Sequence, residues 1–336
     1  MKVIKAIFKV LLCLVLLVGL TIGGLNIWIS TASASFYKNS EKEFQIPGLS
    51  EGFVPKGITY DENSGYYLVS GSMSDNSASR IYTIDPATSD FTYVELKTTG
   101  GEADTPSAAG IAVHGRYVFL STGTELVNVY RLAEVTDSDL SSATPFATFT
   151  SANRPETLFI HNDYIFMGEY YNKEGYDTPG SHKFESDNGE QLNAVMLMYD
   201  ITALVQALSE SEQAALQPEA AYAVPDNCTG MCVLKSGQLC LSFAKGMKSS
   251  TLRIYDDPMK TNLTSDNTYS ALNGEKVPLY YVDSDSMLKE ISVPPMAQEL
   301  VTQGDKILVL TSAASNKSMF GKLTGAGTCR SFIPEL

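Results

Sequence analysis

Short runs of apolar residues, paired across turn residues, recur along this chain. The clearest copy lies at residues 154–169, where Thr157-Leu158-Phe159-Ile160 and Tyr164-Ile165-Phe166-Met167 flank the turn residues His161-Asn162-Asp163. Runs this short around Asn and Asp predict a tight β-hairpin. The same figure stands at residues 57–70, 110–122, 230–243 and 299–311. A third run with a tyrosine near its end follows most hairpins, as in Met198-Tyr199-Asp200 and Ile254-Tyr255-Asp256, and a fourth leads to the next copy. A four-stranded antiparallel unit cannot bury both its faces alone, and radial packing of such units is the β-propeller solution. The pattern therefore predicts an all-β propeller of five four-stranded blades over residues 44–336, with Phe44-Gln45-Ile46 as the strand that closes the ring. An extra strand-like run, Pro278-Leu279-Tyr280-Tyr281-Val282-Asp283, leaves a sixth blade open.

The N-terminus follows a different pattern. Lys2, Lys5 and Lys9 mark a basic, cytoplasmic end over residues 1–9, and residues 10–29 carry no charge. That is about the length of a transmembrane helix, and the basic flank predicts export of everything beyond it. Ala32-Ser33-Ala34 also resembles a signal-peptidase site. Two outcomes stay open: a single-pass anchor in the cell membrane with a polar linker over residues 30–43, or a secreted propeller after cleavage behind Ala34.

Composition narrows the partners. The 336 residues are 44% hydrophobic, enough for a large core, and the formal net charge is -14. Three of the 24 basic residues lie in the N-terminal segment, so the propeller is strongly acidic, which disfavours nucleic acid. The lysine-rich start and export signal suggest a bacterial envelope. No GxSxG, HExxH or complete phosphate loop is present.

Alternating strand direction puts the five hairpin turns on one face of the disc. The starts of the first strands and the loops between second and third strands share the other face. The turns are short and residues 170–193 form a long loop, so elaboration falls on the loop-rich face. Lys56, Glu156, Thr229, Gln298 and Glu299 are expected at the mouth of the central channel, with Glu169, Tyr170, Asn316 and Lys317 on adjoining loops as further binding residues. Glu156 and Glu299 read as equivalent positions. Two such carboxylates, with Asn227 or Gln298 as neutral oxygen ligands, would suit a calcium- or magnesium-like cation. His182, beside Glu169 or Glu185, is the candidate general base. Tyr170, Tyr171 and Tyr176 near amide and lysine groups suit a sugar or peptide. Each has a plainer reading: lysine-paired acids, an exposed loop histidine, and packing tyrosines in a chain that holds 18 of them.

Blade starts such as Pro55-Lys56-Gly57-Ile58-Thr59-Tyr60 and Ala109-Gly110-Ile111-Ala112-Val113 are similar to those of the NHL, YncE-like and lactonase (strictosidine-synthase-like) propellers. This resemblance of repeat pattern covers most of residues 53–333. It implies a divalent cation at the channel mouth, mapping onto Glu156 and Glu299. Two functions follow as expectations. The first is a membrane-tethered extracytoplasmic propeller that binds a protein or envelope glycan through its loop-rich face; the alternative is a metal-dependent hydrolase of lactonase type using Glu156, Glu299 and His182.

Overall fold

A computed structural model of the chain describes residues 2–105, 107–246, 248–256, 267–316 and 326–335. The repeated hairpins become five antiparallel sheets arranged as blades. Their innermost strands are Phe53–Asp61, Ile111–His114, Pro155–His161, Cys228–Val233 and Ala297–Gln303, and each touches the next round a closed ring. The chain is a five-bladed β-propeller.

Strand periodicity explains why five blades cohere. Side chains of a strand alternate between its two faces, so one strand feeds two cores. In Lys306–Thr311, Ile307 and Val309 pack with Leu252 and Ile254 of the fourth blade, while Leu308 and Leu310 pack with Tyr67 and Val69 of the first. Five apolar clusters result, one at each blade interface. Interior strands such as Leu239–Phe243 are buried on both faces, which is why they read as nearly unbroken apolar runs.

The ring closes where the sequence pattern placed the closure. Glu41–Gln45 pairs antiparallel with Thr328–Phe332, supplying the outermost strand of the fifth blade. Phe44 and Ile46 bury against Phe53 and Tyr67 of the first blade. N- and C-terminal segments thus share one sheet, leaving no open seam.

The extra run that left a sixth blade open has another role. Lys276–Tyr281 adds in parallel to Ala220–Val224, the outer strand of the third blade. Gln213–Ala215 does the same for the second blade and Ser142–Ala143 for the first. In each case the connection between third and fourth strands of one blade reaches back to cover the outer edge of the blade before it. Such cover removes an exposed row of backbone donors and acceptors.

Ahead of the ring, Lys2–Ala32 is helical, and its side chains from Lys9 to Thr21 are exposed. Among the described residues no helix is long and apolar enough to cross a membrane. Within residues 30–43, expected as a linker, Ala34–Asn39 forms a short helix whose Phe36 is buried against Phe332, ring centroids 5.6 Å apart.

Candidate functional site at the channel mouth

The site begins with an irregularity shared by four of the five innermost strands. Their pairing with the second strand slips between Pro55 and Gly57, Pro155 and Thr157, Cys228 and Gly230, and Ala297 and Leu300. A bulge of this kind frees a residue from the ladder and re-aims its side chain. Lys56, Glu156, Thr229 and Gln298 are freed in this way, and with Ala109 they line one cavity of about 270 Å³ at the channel mouth. Next to each freed residue the ring is tight. A Cβ on Gly57 would stand 2.0 Å from the Ala109 carbonyl oxygen, and one on Gly230 would stand 2.2 Å from that of Gln298.

Within the cavity the polar groups form a chain. Lys56 Nζ donates to Ser107 Oγ at 2.6 Å, and Ser107 Oγ donates to Glu156 Oε2 at 3.3 Å. Gln298 Nε2 donates to Ser312 Oγ at 3.1 Å. The wall is aromatic: Tyr170 and Tyr176 meet edge to face with centroids 5.4 Å apart, and Tyr176 is 63% exposed. Burial raises the Tyr170 phenol above its ordinary value, opposed by the hydrogen bond from Asn172 Nδ2. Asn172 also donates to Asn227 Oδ1 at 2.8 Å, tying the long loop to the start of the fourth blade. Ser107 was missed in the sequence because it lies in irregular chain just before a blade start; its spacing carried no signal.

Glu299 is not where sequence reasoning put it. Glu156 aligns with Gln298, and Glu299 aligns with Gly57, Gly110, Thr157 and Gly230, the tight position one residue further on. One step along a strand sends the side chain to the other face. Glu299 is fully buried; Oε1 accepts from Met231 N at 3.0 Å and Oε2 from Leu158 N at 3.2 Å. Its carboxylate therefore joins the inner strands of the third and fourth blades to the fifth. Desolvation raises its pKa well above the usual glutamate range, against the lowering effect of those N–H donors.

The calcium or magnesium site expected on Glu156, Glu299 and Asn227 is corrected accordingly. Both Glu299 oxygens are engaged by backbone donors, and the Asn227 side-chain oxygen is held by Asn172. Among the described residues no group of three His, Cys, Asp or Glu side chains is placed to hold a metal ion.

His182 is buried, not exposed, and lies outside the mouth cavity. Its Nδ1 is 3.0 Å from both oxygens of Glu169, and its Nε2 is 3.0 Å from the hydroxyl of Tyr269. Glu169 also accepts from Arg154 N at 3.2 Å and Val195 N at 3.3 Å. This network joins three parts of the chain: the end of a third-blade strand, the long loop, and the outer strand Thr268–Ser270. Desolvation raises the Tyr269 phenol, and the charge of Glu169 adds to the rise. Asn316 donates to the Ser50 carbonyl at 3.3 Å and does not line the cavity; Lys317 lies outside the described residues.

Fold and site together define a five-bladed β-propeller with a polar, tyrosine-walled cavity where its inner strands converge. No protein-family model matches the chain, and no curated protein does. Solved structures match it at the level of architecture. PQQ-bound aldose sugar dehydrogenase from Streptomyces coelicolor is 11% identical with a TM-score of 0.44, over 87% of this chain and 95% of that one. Myxococcus xanthus glutaminyl cyclase is 10% identical with a TM-score of 0.44, over 87% and 94%. The WD40 β-propeller domain of Doa1 is 8% identical with a TM-score of 0.39, over 88% and 97%.

Proposed function

We propose that this chain is a membrane-tethered, extracytoplasmic propeller that binds a protein or glycan of the cell envelope through its loop-rich face, with the mouth cavity as the contact site. The observation that carries this reading is the convergence of Lys56, Glu156, Gln298, Tyr170 and Tyr176 on one cavity of about 270 Å³. A cation, a carboxylate, an amide and two aromatic rings on a rigid ring suit recognition of a hydroxyl-rich or peptide group. The tether rests on the uncharged stretch 10–29 behind three lysines.

The test is binding of the purified full-length chain, in detergent, to solubilised cell-wall glycan fragments and to envelope protein extracts, beside a Tyr170→Ala/Tyr176→Ala variant. Loss of two aromatic contacts should weaken binding about tenfold or more while leaving the thermal midpoint nearly unchanged. If neither class binds the parent chain at millimolar concentration, the reading fails.

A further inference from the structure

Strand direction determines where the N-terminal helix meets the disc. The fourth strand of every blade runs from the short-turn face to the loop-rich face. The closing strand Glu41–Gln45 is the fourth strand of the last blade, antiparallel to Thr328–Phe332, so the chain before it enters from the short-turn side. Local contacts agree. Phe36 packs among Leu234, Leu300, Ile307 and Phe332, close to the hairpin turns of the fourth and fifth blades, and Glu41 pairs with Lys306 at 2.5 Å in the turn of the fifth.

This junction is fastened, not loose. Arg330 donates from Nε to Ser40 Oγ at 2.8 Å, and from Nη2 to the carbonyls of Ser40 and Tyr37 at 2.7 and 3.2 Å. Ser33 and Phe36 are buried. Only residues 33–40 separate the end of the long helix from the closing strand. Because the short helix between them rises only ~1.5 Å per residue, the long helix ends within about 15 Å of the disc.

A second observation comes from the surface. Phe91, Met287 and Leu288 are exposed large apolar side chains at the short-turn ends of their strands, and exposed Ile333 directly follows the short-turn end of Thr328–Phe332. Leu288 and Ile333 are 52% and 60% exposed, and Ile333 shares a groove with Phe36 and Asn39. Among the described residues, the exposed large apolar side chains on the loop-rich face are Leu126 and the cavity-lining Tyr176. Apolar side chains on the face where the N-terminal helix joins the disc suit the interfacial layer of a bilayer.

We infer that the disc sits on the membrane by its short-turn face, with the loop-rich face and the mouth cavity turned away, so that the cavity takes its ligand from the aqueous phase and not from the bilayer. This rests on the tethered reading above. The mouth then presents Lys56, Glu156 and the tyrosine pair to soluble or wall-bound partners, while Leu288 and Ile333 meet lipid headgroups.

The experiment uses the full-length chain in phospholipid vesicles that carry an energy-transfer acceptor on the headgroups. Cys13 is exposed and is replaced (Cys13→Ser); the four remaining cysteines are buried. Donor dyes are placed singly through Arg116→Cys and Lys235→Cys on the short-turn face, and through Asp75→Cys and Tyr176→Cys on the loop-rich face. Strands of five or six residues at ~3.3 Å each separate the faces by roughly 20 Å, so transfer should be about twofold or more stronger from both short-turn positions. Stronger transfer from the loop-rich positions, or equal transfer from both faces, would overturn the orientation. Flotation of the vesicles separates the two readings: a chain that does not float with lipid removes the tether and the orientation together. A chain that floats with the wrong transfer order removes the orientation alone.

Discussion

Glu156 and Glu299 leave the innermost strands of the third and fifth blades one register position apart, and that step separates the channel mouth from the sealed ring. Glu156 stands on a bulge, shares Ser107 with Lys56 and lines an open cavity. Glu299 is fully buried and accepts from backbone groups of two other blades. The same side chain is thus available to a ligand in one place and a fastening of the ring in the other. What distinguishes them is the direction in which the strand aims each, not residue type or apparent spacing.

The comparison breaks most severely if the ring itself is opened. Deleting residues 1–45 removes the closing strand and the buried Phe36; loss of one buried phenylalanine alone costs about 3–5 kcal/mol, and the strand adds to it. Urea denaturation should show a chain that no longer unfolds in one cooperative transition. A truncated chain that melts like the parent would show that closure contributes little.

The two carboxylates provide the next test. Glu299→Ala leaves the Leu158 and Met231 N–H groups unpaired in the interior, at about 1–3 kcal/mol each, whereas Glu156→Ala at the mouth should stay within about 0.5 kcal/mol of the parent. Equal losses in chemical denaturation would erase the distinction. The pH dependence sharpens it. Burial raises the Glu299 pKa in the folded state, so its contribution to stability is full below the ordinary glutamate pKa and declines as pH rises toward the raised folded value. The parent's thermal midpoint should fall over that window, and Glu299→Gln should flatten the slope.

The most local of the expected losses lies in the network behind the mouth. Glu169 precedes Tyr170 directly, and His182 holds the long loop to Glu169 and Tyr269. Tyr269→Phe removes the hydroxyl's contacts with His182 Nε2 and the Ala152 carbonyl, about 1–2 kcal/mol, and should speed proteolysis within residues 170–193 while leaving the rest of the ring protected. Unchanged cleavage would mean that other contacts hold the loop.

Much of the fold was legible in the residue order alone. Two-residue periodicity and turn residues are local properties, so the five hairpins, the closing strand near Phe44 and the short-turn face could all be read along the chain. The run at residues 278–283 could not be placed, because parallel pairing to the outer edge of the third blade joins segments more than fifty residues apart and leaves no local mark. Part of the mouth was legible for the same local reason: Lys56, Glu156, Thr229 and Gln298 all begin first strands.

The sequence by itself determined the repeating unit, its number to within one, and the face on which loops gather, since each follows from residue order and strand alternation. Only the tertiary structure decided which acid faces the cavity, that His182 is buried with Glu169 and Tyr269, and that residues 33–40 are fastened to the disc. These outcomes depend on a bulge that shifts register by one residue and on contacts between blades. Burial and hydrogen-bond satisfaction there are set by neighbours distant in the chain.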